Sequence, residues 1–279
     1  MLTKKSPTDF NWLREQSADT ETTHLLTEIE EWWREFVLGK HIEDTGLMLL
    51  QLKPYKLWLR KSEAAYSIRV FTQIFKDKNH TLVTGFDGKD AKVVIDLGAN
   101  VGYYTLKIKD TNPACRVVAV EPNPTAIEIL EKNIVTNDIK GVTIVKKAIG
   151  GNAGELVFKT TDQGTMFSGR DLGKIKKDDR YWIEEAMIRT IQVPCITLAE
   201  LLRDCDVKQV DILKLDVENM ELEIFQSSLE VLKKVKRIVV EWHTKETKEQ
   251  FTGFLQSNGF ELVYEEAKDF GDLYFVRIP

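Results

Sequence analysis

The chain has 279 residues, 43% hydrophobic and 30% charged, so it can bury a substantial core and has the composition of an ordinary globular protein. Its formal charge is −5, from 39 basic and 44 acidic residues, and this balance gives no sign of a nucleic-acid partner. Three scattered cysteines without a C-x-x-C pair, no signal-peptide pattern and no apolar run of about 20 residues predict a cytoplasmic protein with no disulfide framework, cysteine-rich zinc site or membrane span.

Residues 1–90 differ in character from the rest and predict a helical N-terminal extension or cap. Apolar residues recur at helical spacing from Leu25 to Phe36, with Gly39 placed to end that helix, and again in a second helix near 64–76. We expect both helices to pack on the main domain, with a substrate cap or a homo-oligomer contact through them as the alternatives. Four of the six tryptophans lie here and are interpreted mainly as packing residues: Trp12, Trp32, Trp33 and Trp58.

The second part, residues 91–279, alternates strand and helix signals, which predicts an α/β domain with a parallel sheet. Its first strand runs from Val93 to Asp96 as an unbroken apolar stretch, typical of a strand buried on both faces. A turn with Gly98 and Gly102 follows and leads into a helix. This arrangement binds nucleotides, because glycine lets the backbone approach a ligand and a helix start offers free N–H groups. Asn100 breaks the G-x-G-x-x-G dinucleotide pattern, and no Lys-Ser/Thr pair follows to make a phosphate-binding loop.

Further strands are predicted at 116–120, 142–146, 210–215 and 237–240, and a closing hairpin at 260–264 and 272–277. Two more strands are expected at 154–160 and 188–196. The stretch between them, at about 161–187, is interpreted as a mobile substrate-side loop, with plain surface disorder as the alternative. Helix starts are indicated by Asn123 before Pro124, by a capping box at Thr197, and by a similar pattern at Thr247.

Polar residues follow the predicted strands where the strands end, and the carboxyl ends of parallel strands share one edge of a sheet. Glu121, 19 residues beyond Gly102, is placed to accept the ribose hydroxyls of a nucleotide cofactor. Asp96 is expected to brace the glycine turn and a positively charged part of the bound cofactor. Ala148 and Ile149 would contact the adenine.

His243 is predicted to be the general base, because it follows a strand and histidine exchanges protons near neutral pH. Asp216 and Glu218 would orient the substrate that loses the proton, or Asp216 would itself be the base. No dedicated metal motif is present, so no metal is assigned. A divalent ion held by Asp216, Glu241 and His243 remains an alternative.

Five segments together resemble the FkbM-type methyltransferases over about residues 93–265: Asp96-Leu-Gly-Ala-Asn-Val-Gly-Tyr-Tyr-Thr105, Val120-Glu-Pro-Asn-Pro124, Lys147-Ala-Ile-Gly150, Leu213-Lys-Leu-Asp-Val-Glu218 with Glu221-Leu-Glu-Ile224, and Val240-Glu-Trp-His243. The resemblance implies a Rossmann-like, doubly wound, mostly parallel seven-stranded sheet with an antiparallel C-terminal hairpin. It also implies S-adenosylmethionine (SAM) as cofactor and O-methylation of a small-molecule or glycan acceptor. The cofactor-binding residues expected on this basis are Asp96, Gly98, Ala99, Asn100, Gly102, Tyr103, Glu121, Pro122, Asn123, Ala148, Ile149 and Asp216.

The chain departs from the family pattern after Glu218, where Asn219-Met220 stands in place of the usual Gly-Ala. A bulkier helix start there would alter the acceptor pocket. Two alternatives to the methyltransferase interpretation are a nicotinamide-dependent oxidoreductase on a similar sheet and a non-catalytic scaffold that keeps the cofactor pocket. A nucleic-acid acceptor is not expected, because no basic, aromatic-interleaved groove is indicated.

Overall fold

The computed structural model describes residues 8–37, 46–161, 164–169, 188–266 and 270–278. The N-terminal segment, meaning the described residues up to 90, contains the predicted helices and also a β-hairpin that the sequence does not predict. The hairpin strands pair antiparallel. The predicted helix end at Gly39 lies outside the described residues. The elements are α1 (Phe10–Gln16), α2 (Thr20–Val37), β1 (Leu47–Gln51), β2 (Lys56–Arg60), a 3₁₀ turn (Lys61–Glu63) and α3 (Ala64–Phe75).

The main sheet has seven strands within the described ranges: β3 (Val93–Leu97), β4 (Arg116–Val120), β5 (Val142–Val145), β10 (Ile212–Leu215), β11 (Arg237–Trp242), β12 (Phe260–Glu265) and β13 (Gly271–Arg277). Their spatial order is β12-β13-β11-β10-β3-β4-β5. The five from β11 to β5 are parallel, whereas β13 pairs antiparallel with β11 and β12. The predicted fold class is therefore confirmed. The chain leaves β3 toward β4 and later returns to β10 on its other side, so the carboxyl ends of β3 and β10 mark the point where strand order reverses.

A second sheet extends beyond β5. Its strands are β6 (Ala148–Ile149), β7 (Gly154–Thr161), β8 (Gly164–Gly169) and β9 (Ile188–Ile196), in the order β6-β9-β7-β8. The strands predicted at 154–160 and 188–196 are confirmed. The loop predicted from 161 to 187 is wrong at residues 164–169, because β8 pairs antiparallel with β7 and satisfies backbone groups at its outer edge. Residues 162–163 and 170–187 lie outside the described ranges.

Six further helices are described: α4 (Tyr103–Thr111), α5 (Pro124–Thr136), α6 (Leu198–Asp204), α7 (Glu221–Ser227), α8 (Leu229–Leu232) and α9 (Lys245–Ser257). The Asn123 side chain caps α5 as predicted, with Pro124 at the first position. The capping box from Thr197 to Glu200 is confirmed at α6. The start predicted at Thr247 is wrong. The capping residue of α9 is Thr244, whose side chain accepts from the Thr247 N–H, so the helix begins three residues earlier.

The N-terminal segment packs on one face of the main sheet. Leu26 and Ile29 of α2 and Phe71 of α3 are fully buried in the same apolar cluster as Val94 and Ile212 of the sheet. Burying each such side chain stabilises the fold by roughly 1.5–3 kcal/mol. The other face of the sheet packs against α6, α7 and α9 in a separate cluster. The prediction that the N-terminal helices pack on the main domain is confirmed, and their apolar side chains belong to the core of the same chain.

Hydrogen bonds also join the β1–β2 hairpin to the loop after β3. The Trp58 backbone N–H donates to Asn133 Oδ1 at 2.7 Å, and its indole N–H donates to Thr136 Oγ1 at 2.8 Å. Asn133, fully buried in α5, donates in turn to the Val101 carbonyl at 3.0 Å. Trp58 is therefore a packing residue that fixes the hairpin against the helix supporting the glycine loop.

Within the described ranges, no helix combines the length and the apolar character needed to cross a bilayer.

Candidate active site

The loop between β3 and α4 has a conformation that its glycines permit. Gly98, Asn100 and Gly102 all have positive φ, at 75°, 48° and 90°. A Cβ at Gly98 would lie 1.8 Å from the Asp216 carbonyl oxygen, and one at Gly102 would lie 2.4 Å from a methyl of Leu130. The loop therefore touches the end of β10 with no room for a side chain, which brings the turn next to Asp216.

A first cavity opens over the ends of β3, β4 and β10. It has an empty volume of about 610 Å³ that includes space open to solvent. Its lining combines polar and apolar residues, so it suits a ligand with a sugar and a flat ring. The lining includes Gly98, Asn100, Glu121, Asp216 and Glu218 and, among the apolar residues, Ala148, Ile149, Leu156, Phe158 and Met220.

Glu121 links two loops at the base of this cavity. Its two carboxylate oxygens accept the backbone N–H groups of Asn100 and Asn123, each at 2.8 Å. Burial raises the pKa of Glu121 to about 7, although these two hydrogen bonds oppose the rise. A carboxylate oxygen has more than one lone pair, so both oxygens retain capacity to accept ligand hydroxyls.

A second cavity, with an empty volume of about 520 Å³, lies on the other side of the glycine loop. Its wall includes the start of α4 and residues of the N-terminal segment. The two cavities share Gly98, Asn100 and Asp216, so they adjoin each other at the end of β10. The polar residues on the wall of the second cavity are Glu63, Tyr66, Ser67, His80, Asn100, Tyr103, Tyr104, Lys214 and Asp216.

A buried ion network supports the wall between the cavities. Lys214 Nζ lies 2.9 Å from the Gly98 carbonyl oxygen, 3.3 Å from Asp96 Oδ1 and 3.4 Å from Asp216 Oδ2. The other oxygen of Asp96 accepts the Thr105 hydroxyl at 2.7 Å. Although burial opposes its ionisation, the Lys214 ammonium lowers the pKa of Asp216 to about 2. Asp216 is therefore an anion at neutral pH.

Beside Asp216 lies a group of side chains that we call the rim cluster: Asp216, Glu218, Glu241 and His243. Single ligand atoms of Asp216, Glu241 and His243 lie within 4.8 Å of one another. His243 Nε2 is 3.8 Å from Glu218 Oε2 and 3.9 Å from Glu241 Oε2. It is hidden from solvent and has no hydrogen-bond partner among the described residues. Burial, and then the Asp216 charge, raise the pKa of Glu218 to about 8 and that of Glu241 well above its usual range.

The structure brings most of the predicted site residues to these cavities. Gly98, Asn100, Glu121, Pro122, Ala148, Ile149, Asp216 and Glu218 line the first cavity, and Ala99 and Tyr103 line the second. Glu241 and His243 lie at the rim beside Asp216. The remaining three lie behind the walls. Asp96 is fully buried under the glycine loop, Gly102 packs on Leu130, and Asn123 is fully buried and caps α5.

Sequence reasoning missed several wall residues. Lys214 could have been predicted from the sequence, since a lysine inside a fully buried strand requires an anionic partner. Leu156 and Phe158 lie on a strand that was predicted, but its packing against the first cavity was not. No sequence pattern indicates His80 or Tyr66, because they lie in a segment without a recognisable motif.

Comparison with known proteins agrees with this geometry. The family profile described as the methyltransferase FkbM domain matches residues 96–272. The methyltransferase sdnD of Sordaria araneosa is 26% identical over 200 residues, covering 63% of this chain and 76% of that protein. The 31-O-demethyl-FK506 methyltransferase FkbM of Streptomyces tacrolimicus is 23% identical over 71% of this chain and 83% of its own length. The 2-O-methyltransferase NoeI of Sinorhizobium fredii is 22% identical over 75% of this chain and 83% of its own length.

The family profile covers well over half of the chain and begins and ends on residues that the structure places at the site, Asp96 under the glycine loop and Asp272 behind the second cavity. The match to a methyltransferase family excludes the alternative of a nicotinamide-dependent oxidoreductase. The chain belongs to the FkbM-type methyltransferases, which are SAM-dependent enzymes.

Proposed function

We propose that this enzyme transfers the methyl group of SAM to a hydroxyl oxygen of a small-molecule or glycan acceptor. The observation that carries the proposal is the pair of adjoining cavities that both include Asp216, on the carboxyl edge of the sheet where strand order reverses. One cavity has the chemistry for an adenosyl group, and the rim cluster stands beside the junction.

The first cavity fits the adenosyl group. Glu121 would accept the ribose hydroxyls on the oxygens that already receive backbone N–H groups. Ala148 and Ile149, both almost fully buried, would contact the adenine, with Phe158 among the other apolar residues of the lining. Gly98 lets the loop approach β10 closely, because a Cβ at this position would lie 1.8 Å from the Asp216 carbonyl oxygen. When bound, SAM supplies a methyl group already activated by its positively charged sulfur.

Asp216 is placed to face that sulfur. It lies on both cavity walls, and its lowered pKa keeps it ionised, so its charge is complementary to a sulfonium. The same low pKa makes Asp216 a poor general base, which favours His243 among the two candidates. Asp216 and Glu218 would then orient the acceptor, and positioning of this kind contributes several kcal/mol to methyl transfer.

His243 would remove the acceptor proton. As the acceptor oxygen bonds to the methyl carbon, the carbon–sulfur bond breaks and its electron pair stays on sulfur. The hydroxyl proton moves to the imidazole of His243, whose side chain is 32% accessible. Asp216 stays ionised and has a carboxylate oxygen within 4.8 Å of a ring nitrogen of His243, so its charge would stabilise the imidazolium that forms.

The names of two relatives support oxygen as the acceptor atom, since one is called a 31-O-demethyl-FK506 methyltransferase and the other a 2-O-methyltransferase. The decisive experiment is a screen of hydroxylated acceptors with methyl-labelled SAM, followed by mass spectrometry of the products. A labelled methyl ether is expected. Tight binding of S-adenosylhomocysteine (SAH) without turnover on any acceptor would favour the scaffold alternative.

The variant His243→Ala tests the base. It is expected to lower kcat by about 10²- to 10⁴-fold while leaving SAH affinity within about twofold, since a base acts on the acceptor and not on the cofactor. The matched control is His24→Ala, an exposed histidine on α2 whose side chain is 75% accessible. An unchanged kcat in His243→Ala would remove His243 from the mechanism.

Chelation separates a base from a metal ligand in the rim cluster. The raised pKa of Glu241 lets it share one proton with Asp216, and the single negative charge that remains is compensated by Lys214 Nζ, 3.4 Å from Asp216 Oδ2. Turnover is therefore expected to persist in EDTA. Loss of activity that Mg²⁺ or Mn²⁺ restores would instead assign Asp216, Glu241 and His243 as metal ligands.

A further inference from the structure

His80, in the N-terminal segment just after α3, is a buried histidine that the proposed mechanism does not use. Only 7% of its surface is exposed, and it lies on the wall of the second cavity. Its φ is 62°, in a region that non-glycine residues rarely adopt and that persists where surrounding contacts impose it. This combination of burial, strained backbone and position on a cavity wall points to a ligand.

Asp272 of β13 fixes the orientation of this histidine. One oxygen of Asp272 accepts the His80 backbone N–H at 2.7 Å, and the other lies 2.8 Å from Nδ1. With Nδ1 held, Nε2 is the ring nitrogen that remains for the cavity. Tyr104 packs edge-on against the ring, and the Tyr274 hydroxyl also donates to Asp272. Burial opposes protonation of the ring, but the charge of Asp272, its hydrogen bond to the ring and the charge of Asp216 together raise the pKa of His80.

Two of the described residues on the wall of the second cavity are basic, Lys214 and His80. Lys214 already contacts Asp96, Asp216 and the Gly98 carbonyl oxygen. The Asp272 carboxylate contacts His80 at Nδ1, so Nε2 is the ring nitrogen that remains for a ligand on this wall. The first turn of α4 also starts on this wall, and its N–H groups have no acceptor within the helix.

The amino-acid end of SAM has a carboxylate that needs these donors. With the adenosyl group in the first cavity and the sulfur at Asp216, the amino-acid chain has the second cavity in front of it. We propose that His80, held by Asp272, binds the carboxylate of the methionyl end of SAM in the second cavity. This inference rests on the proposed function, since it extends the cofactor from the first cavity into the second.

The test compares three ligands by calorimetry: SAH, its decarboxylated analogue S-adenosyl-3-thiopropylamine, and 5′-methylthioadenosine, which lacks the whole amino-acid chain. The variant is His80→Asn, because asparagine tolerates positive φ. His80→Asn is expected to weaken SAH binding by about tenfold to a hundredfold, the loss of a charged hydrogen bond. It should leave the other two ligands within about twofold. His24→Asn, on the exposed face of α2, should change none of the three.

The outcomes separate this inference from the function on which it rests. If the wild-type protein binds none of the three ligands, the proposed function fails. If it binds all three but His80→Asn keeps the preference for SAH over the decarboxylated analogue, the carboxylate contact is wrong. If His80→Asn also loses affinity for 5′-methylthioadenosine, the same three ligands are measured with the variant Asp272→Asn. A loss confined to SAH supports the contact, and an equal loss for all three ligands overturns it.

Discussion

At the scale of single residues, Glu121 gives the site a pH dependence of defined sign. The ribose hydroxyls need a carboxylate acceptor, and the pKa of this carboxyl in the free protein is raised to about 7. Protonation below that value removes acceptor capacity, so SAH affinity should fall as the pH is lowered from about 8 to about 6. The expected loss is about tenfold for each pH unit below the pKa. Calorimetry across this range measures it.

The variant Glu121→Gln isolates that contribution from Glu218, which lines the same cavity and whose pKa is raised to about 8. Its SAH affinity should be lower at pH 8, by about one to two orders of magnitude, and should change less with pH than that of the wild type. A variant with the wild-type pH profile would show that Glu121 does not meet the ribose.

Asn219 is a residue whose effect on stability comes from its backbone. It is exposed and has φ of 73°, directly after Glu218 with φ of 56°. Asparagine tolerates this region better than other non-glycine residues, which explains how it replaces the glycine usual in the family. Asn219→Gly should be neutral or stabilising, whereas Asn219→Val should lower the free energy of unfolding by about 1–2 kcal/mol. Denaturant titration of the two variants compares them, and equal stabilities would contradict the assignment.

At the scale of elements, the glycine loop after β3 allows a matched comparison of two glycines. A Cβ at Gly98 would lie 1.8 Å from the Asp216 carbonyl oxygen, so Gly98→Ala must move the loop away from β10 and should abolish SAH binding. Gly253 is exposed in α9, and a Cβ at this position would have no neighbouring atom within 4 Å. Gly253→Ala should stabilise the protein by about 0.5–1 kcal/mol and keep SAH affinity. Retained binding in Gly98→Ala would contradict the proposed cofactor path.

Elements with strong local signals were predictable from the sequence. The strand from Val93 and the α5 start at Asn123-Pro124 depend on neighbouring residues only, and both are confirmed. The β1–β2 hairpin was missed because Leu47-Met-Leu-Leu50 is a continuous apolar run, without the alternation that distinguishes a strand. At α9, Thr244 and Thr247 have similar local sequence, and the end of β11 decides between them.

The candidate site divides in the same way. Glu121 and Asp216 were predicted because each follows a strand, and parallel strands bring their ends together. His80 could not be predicted, because the residue that orients it, Asp272, is 192 positions away. Tyr66 reaches the second cavity through the packing of α3 on the sheet, and no short-range pattern reports that contact.

At the scale of the whole molecule, the division at residue 90 separates two stretches of sequence that share one core. Leu26, Ile29 and Phe71 are fully buried in the same apolar cluster as the sheet residues Val94 and Ile212. A protein that begins at residue 91 would expose that face of the sheet. Each large apolar side chain involved is worth roughly 1.5–3 kcal/mol, against a total stability of about 5–15 kcal/mol.

We therefore expect the shortened protein to lack a cooperative thermal transition by circular dichroism and to bind the dye ANS. A sharp transition with SAH affinity equal to that of the full chain would show instead that residues 91–279 fold independently. That result would also remove α3 and His80 from the cofactor site.

The contact between His80 and Asp272 has a consequence for how the enzyme matures. Joining residues this far apart costs chain entropy before the bond returns any energy, so such contacts form late in folding. β13 must insert between β11 and β12 before Asp272 can orient the imidazole ring of His80. The adenosyl pocket at the ends of β3 and β4 would thus form before the contact that binds the methionyl carboxylate of SAM. Catalytic activity would therefore appear last during folding.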